Sequence, residues 1–165
     1  MYRRSTRETS LASLSPRLAD AIGKHAAANQ ITLEGARVWL TRSENPPAEG
    51  FFGKLLGRRA NPVDPDEVHE TVLVLHRSHV LVATSGEKRG TSVLSVALTQ
   101  ASVSRGAALA AFANVPGASD GLSISGFPGD HGRPGSYFFG LGSEPDAAEC
   151  ERVLTAAITA AKNPR

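Results

Sequence analysis

The sequence predicts a small α+β domain, mainly β: about seven antiparallel strands forming a barrel closed by one C-terminal helix, with an extra helix at the N-terminus. Three observations carry this reading. Short β-rich runs lie between residues 36 and 141, Gly, Pro and polar turns punctuate them closely, and a capped amphipathic stretch ends the chain. At 165 residues the chain has the length of one domain and can bury a core without disulfides or a metal. It is expected to divide into a basic tail and helix at 1–30 and a barrel at 31–165, with an insertion loop at 43–66 and a C-terminal helix at 144–162.

Arg3, Arg4, Arg7, Arg17 and Lys24 stand against only Glu8 and Asp20 near the N-terminus, which reads as a solvated basic tail. Tyr2 is the one aromatic residue there that could stack on a base, which argues against a nucleic-acid partner. Leu11, Leu14, Leu18 and Ile22 then recur at helical spacing among alanines and predict a helix over 11–28. Pro16 weakens its first half and suits the first helical position, with Ser15 before it.

From Ala36 to Arg42 the period changes to two, with Val38 and Leu40 on one face and Trp39 and Thr41 on the other. Residues 43–66 hold Pro46, Pro47, Gly50, Gly53, Gly57, Pro62 and Pro65, too punctuated for a regular element. Residues 69–76 and 79–85 are β-rich runs separated by Arg77 and Ser78, the spacing of a tight hairpin. The polar turn 86–90 leads into a strand at 91–98, a weak strand follows at 100–105, and 106–120 is left unassigned. Residues 121–126 and 136–141 are two further strands joined by the Gly- and Pro-rich loop 127–135.

At the end of the chain, Ser143 as N-cap, Pro145 and acids in the first turn announce a helix. Ala147, Cys150, Val153, Leu154, Ala157, Ile158 and Ala161 form its apolar stripe. The single cysteine, Cys150, cannot form an internal disulfide, so a reducing cytoplasm is the expected compartment. No apolar run approaches the roughly 20 residues needed to span a bilayer, and the N-terminus lacks the apolar segment of a signal peptide.

The runs Thr71–Thr84, Arg89–Leu98 and Tyr137–Leu141, followed by Asp146 and the final helix, resemble bacterial pleckstrin-homology-like domains over roughly 35–162. That resemblance implies a scaffold that binds lipids, peptides or proteins, with adaptors among its bacterial members. It carries no binding residue onto this chain, and the N-terminal helix and the 43–66 insertion depart from it.

No catalytic residue is assigned. Gly121–Ser125 approaches a nucleophile elbow but has serine where the second glycine belongs and lies within a strand. The Gly86–Thr91 turn lacks the spacing of a phosphate-binding loop and leads into a strand. His69, His76 and His79 lack the further ligands a zinc site would want, Asp130 and His131 read as turn residues, and no cofactor is expected.

The most suggestive stretch is 50–59, where Phe51, Phe52, Leu55 and Leu56 stand beside Lys54, Arg58 and Arg59. Such a loop either packs on the domain or a neighbouring subunit, or enters a membrane interface with Lys88 and Arg89 as a nearby basic turn. The expected function is a non-enzymatic binding or adaptor module for a protein partner or for self-assembly; the alternative is peripheral binding to an anionic membrane through the 50–59 loop.

Overall fold

The computed structural model describes residues 1–48, 57, 59–105 and 120–163. Eight strands form two antiparallel sheets. The first runs in the order β1 (Arg3–Thr9), β2 (Arg37–Glu44), β3 (Val68–Leu75), β4 (His79–Gly86) and β5 (Gly90–Ala97). The second contains β6 (Ser102–Arg105), β7 (Gly121–Phe127) and β8 (Gly135–Gly140). Helix α1 (Pro16–Ala28) lies between β1 and β2 in sequence, and α2 (Pro145–Lys162) follows β8.

The first sheet is buried on both faces, and this explains its sequence. Trp39, Leu73, Leu75, Val80, Val82 and Val96 point into a core shared with Leu122, Ile124, Phe127 and Phe139 of the second sheet. Val38, Leu40, Val72, Val74, Leu81 and Ala83 point the other way and are covered by Leu18, Ile22 and Ala26 of α1. A strand covered on both sides has no need to alternate apolar with polar residues, so β3 and β4 read as nearly continuous Val and Leu. Each such side chain contributes roughly 1.5–3 kcal/mol by leaving water.

The hairpin between β3 and β4 forms at the expected place: His76 N donates to His79 O at 2.9 Å, leaving Arg77 and Ser78 as the turn. Helix α1 starts at Pro16, after a short 3-10 turn at Leu11–Ser13, with Ser15 Oγ accepting from Leu18 N. Helix α2 starts one residue later than its acids suggest. Glu144, not Ser143, is the N-cap residue, and its carboxylate reaches away from its own helix.

Two expectations are corrected. The sheets do not close into a barrel; they are stacked over one core, and the edge strands of one do not pair with those of the other. The reason lies in the link after β5, where Gln100 N and Ala101 N both bond Ala97 O and turn the chain out of the first sheet. Gly126, at φ +108°, gives the second sheet a bulge directly against this link, where a Cβ would strike the Gln100 carbonyl. Ala147, Cys150, Leu154 and Ile158 of α2 complete the same core.

The second correction concerns the basic N-terminus. Residues 3–9 are not a solvated tail but strand β1, paired along its whole length with β2. The arginines of β1 are compatible with this because they stand on an edge, where charge is tolerated. The unassigned segment lies within 106–119 and so outside the described residues. No described helix is long and apolar enough to cross a membrane.

Candidate functional site: a cavity at the loop end of the first sheet

At one end of the first sheet, the β2–β3 loop and the β4–β5 turn meet. Asn45, the residue after β2, closes the base of the loop. Its Oδ1 accepts from Asn61 N at 2.7 Å, and its Nδ2 donates to the carbonyls of Asn61 and Asp64 at 2.9 and 3.1 Å. Asn45 N donates in turn to Glu67 O, and Ala60 N to Pro46 O. The long insertion is thus pinched where it leaves and rejoins the sheet, and its second half is locked to the body of the domain.

Short-range turn chemistry shapes that half. Asn61 Oδ1 accepts from Val63 N and Asp64 Oδ1 accepts from Asp66 N, each bridging a proline. The two carboxylates then grip the β4–β5 turn. Asp66 accepts Lys88 N at 2.6 Å and Arg89 Nε at 2.5 Å, while the Arg89 guanidinium also bonds Asp64. Gly86 makes room for this grip, because a Cβ there would overlap the Asp66 carboxylate.

The other Asp64 oxygen accepts from the Tyr2 hydroxyl at 3.3 Å and lies 2.9 Å from His69 Nδ1. The alignment is too poor for this contact to count as a directed hydrogen bond. Burial works to raise the pKa of Asp64, but His69 and Arg89 outweigh it and hold the carboxyl below its usual range. Asp66 is likewise held low: the Lys88 amide and Arg89 overcome its burial. Burial, only partly offset by Arg4, pushes the Tyr2 phenol up, which keeps its proton available for Asp64.

Beside this cluster is a cavity of about 420 Å³, bordered by Tyr2, Arg4, Val63, Arg89, Tyr137 and Phe138 among others. The Arg4 guanidinium lies 5.1 Å from the Tyr2 ring centre and 5.5 Å from that of Phe138, within cation–π range. Arg4 also donates to Asp120 O at 3.1 Å, and the Tyr137 and Thr84 hydroxyls share a hydrogen bond. The walls are therefore preset. Val63, 54% exposed, stands at the rim and is, among the described residues, one of two large apolar side chains open to solvent.

Of the residues singled out from the sequence, Phe51, Phe52, Lys54, Leu55, Leu56 and Arg58 lie outside the described residues. Arg59 pairs with Glu67 at 3.3 Å and donates to Asn45 O, so it helps hold the loop base. Lys88 is exposed at the turn, with its amide held by Asp66. Arg89 is committed to Asp64 and Asp66, which leaves little of its charge for an outside ligand. The 86–90 turn and the base of the insertion do share one end of the molecule.

The remaining candidates lie apart. His76 and His79 are linked through Ser78 Oγ, at 3.0 and 2.9 Å from their Nδ1 atoms. Among the described residues no three His, Cys, Asp or Glu side chains are grouped to hold a metal ion. Asp130 and His131 form a 3-10 turn, and Ser125 bonds Ser136 across the β7–β8 hairpin. Burial pushes the Cys150 thiol up to about 12, so it remains a protonated core side chain.

Asn45, Asn61, Asp64, Asp66, His69 and Tyr2 were not legible as a group. A signal existed in Asn61-Pro-Val-Asp-Pro-Asp66, whose Asn and Asp at two-residue spacing are the side chains that fold back on their own backbone. No family model, curated protein or solved structure matches this chain.

Proposed function

We propose that the chain is a non-enzymatic binding module of pleckstrin-homology-like architecture that recognises a protein partner at the end built by the β2–β3 loop and the β4–β5 turn. The architectural part is supported by the element order: an antiparallel meander, a second sheet stacked on it, and a single amphipathic helix packed into the core between them. The observation that carries the functional part is the closure of the ionic cluster. Asp64, Asp66 and Arg89 satisfy one another, which makes them a brace for a preformed aromatic-rimmed cavity rather than free acids, bases or cations. A cavity bordered by Tyr2, Arg4, Tyr137 and Phe138, with Val63 exposed at its rim, suits a protein surface, since tyrosine and arginine carry much of the binding energy at such interfaces.

The anionic-membrane reading is weakened by the same geometry, since Arg59 and Arg89, two of the three described cations in the candidate set, are already ion-paired. A photo-crosslinking residue placed at Val63, with Thr155 on the exposed face of α2 as control, tests the proposal in extracts of the source cells. A discrete protein adduct from position 63 alone supports it. Equal labelling from both positions, or flotation of the protein with anionic but not neutral liposomes and no adduct at 63, overturns it.

A further inference from the structure

The first sheet has two edges, β1 and β5. Leu98 N donates to Ser78 O, so in the β4–β5 register the even-numbered residues of β5 exchange hydrogen bonds with β4. Thr91, Val93 and Ser95 therefore direct their N–H and C=O groups away from the sheet, and among the described residues no backbone group pairs with them. Gly90-Thr-Ser-Val-Leu-Ser-Val-Ala97 is neutral and by itself would accept many extended segments. What selects among them lies at the end of the strand.

There the edge runs into an open cleft of about 670 Å³ between β5, the end of α1 and the β7–β8 loop, with Ser95, Ala97, Phe127 and Pro134 among its lining residues. Arg133 also lines it, is exposed, and has no ion pair among the described residues. No carboxylate lines the cleft; Asp130, the acid of the loop, is not part of its wall. The loop backbone is fixed. His131 and Gly132 both lie in the left-handed region, at φ +55° and +72°, Arg133 N closes the turn on Asp130 O at 3.2 Å, and a Cβ at Gly129 would strike the Arg133 carbonyl. An open edge thus leads to a preformed cleft that carries a positive charge and no acid to balance it.

We infer that β5 and this cleft form one docking groove for an extended segment of a partner protein that carries Asp or Glu just before a neutral, β-branched run. The run adds antiparallel to β5 and exchanges backbone hydrogen bonds with Thr91, Val93 and Ser95. Antiparallel addition sets the start of the segment beside Ala97, and at about 3.3 Å per residue an acid one or two positions before the run falls in the cleft. Its carboxylate accepts from the Arg133 guanidinium, whereas a basic residue there meets like charge. A second copy of this chain fits poorly, because its 87–89 turn brings Lys88 and Arg89 with Glu87 toward Arg133. The inference rests on the binding-module reading and adds a second surface to it.

Selection of a displayed library of random peptides, each about 12 residues and so longer than an edge strand, on the immobilised full chain tests this. Enriched peptides are then measured by fluorescence anisotropy against the wild type and two variants. Val93→Pro removes an outward N–H at a position where an edge strand tolerates proline. Arg133→Glu reverses the charge at an exposed site. The expected consensus is an acid followed by alternating Val, Ile or Thr. Each variant should keep its circular dichroism and lose at least about tenfold in affinity, and a peptide with Lys in place of the acid should bind Arg133→Glu better than the wild type. A consensus without an acid, peptides that bind Val93→Pro as well as the wild type, or no enrichment over background overturns the inference. So does a wild-type dimer that Val93→Pro abolishes, since a second copy then holds the edge. Peptides held by the Val63 cavity would keep their affinity for both variants, so the two surfaces fail separately.

Discussion

β1 and β5 end the same sheet, and the chain treats them oppositely. β1 carries Arg3, Arg4, Arg7 and Glu8, and its outward amides are occupied. Thr6 N donates to Glu144 at 2.9 Å and Glu8 N to Asp146 at 2.7 Å, so the N-cap acid and the first-turn acid of α2 act as a substitute strand. Gly142 N adds a bond to Thr6 Oγ1, and Arg37 ties Glu8 to Glu149 of α2. β5 has no charge of its own; its beginning is secured where Arg89 meets Asp64 and Asp66, and its middle where Ser95 bonds His25 of α1. The difference teaches that one edge is sealed by carboxylates delivered from 138 residues away in sequence, whereas among the described residues no backbone group pairs with the other.

The contrast can be broken most forcefully at the brace before β5. Arg89→Ala leaves two buried carboxylates facing each other and is expected to destabilise the fold by about 3 kcal/mol, read by urea denaturation. The same variant reports on pH. Because Asp64 and Asp66 have lowered pKa values when folded, they add stability above the unfolded value of about 3.9, and that stability is lost as the pH falls through their folded values. The wild type should therefore weaken steeply below that pH, and Arg89→Ala should show a shallower acid dependence. An unchanged slope would mean that the brace is not what holds these acids low.

Unsealing β1 comes next. Glu144→Ala with Asp146→Ala removes two charge-assisted acceptors and should cost about 2–3 kcal/mol. Hydrogen exchange at Thr6 and Glu8 should accelerate while β3 and β4 stay protected; protection that persists at both amides would show that water caps this edge equally well.

A smaller effect concerns the side-chain bond that pins β5 to α1. His25→Ala deletes a 2.8 Å bond to Ser95 and should cost about 1 kcal/mol. Burial lowers the His25 pKa, so its neutral form belongs to the folded state. Its stabilisation is present above the unfolded value of about 6.5 and declines as the pH falls below it. His76 is lowered by burial in the same direction, so the variant should reduce this loss below about pH 6.5 without abolishing it. The smallest effect is that of Ser92→Lys on monomer stability, expected within about 0.5 kcal/mol because position 92 is exposed.

Much of the fold was legible from residues 36–163, where local chemistry and tertiary need agree. The Val- and Leu-rich runs of β3 and β4, the two residues between them, the serine before Pro16 and the apolar stripe of α2 each state their structure locally. What misled was charge. The arginines of β1 read as a solvated tail because a strand with few apolar side chains has no periodic signature, and only its pairing with β2 and the distant acids of α2 make it a strand. The candidate site was equally hidden: Arg89 looked like a free cation, and the aspartates that neutralise it stood in a segment dismissed as irregular.

By itself the sequence determined the kind of most elements after residue 15, because periodicity, capping and turn residues act over a few neighbours. The tertiary structure alone decided that two sheets stack without closing, that β1 joins the first of them, and which edge stays open. These outcomes depend on hydrogen bonds and ion pairs between residues far apart in the chain, whose partners are chosen only when the core has brought them within about 3 Å of each other.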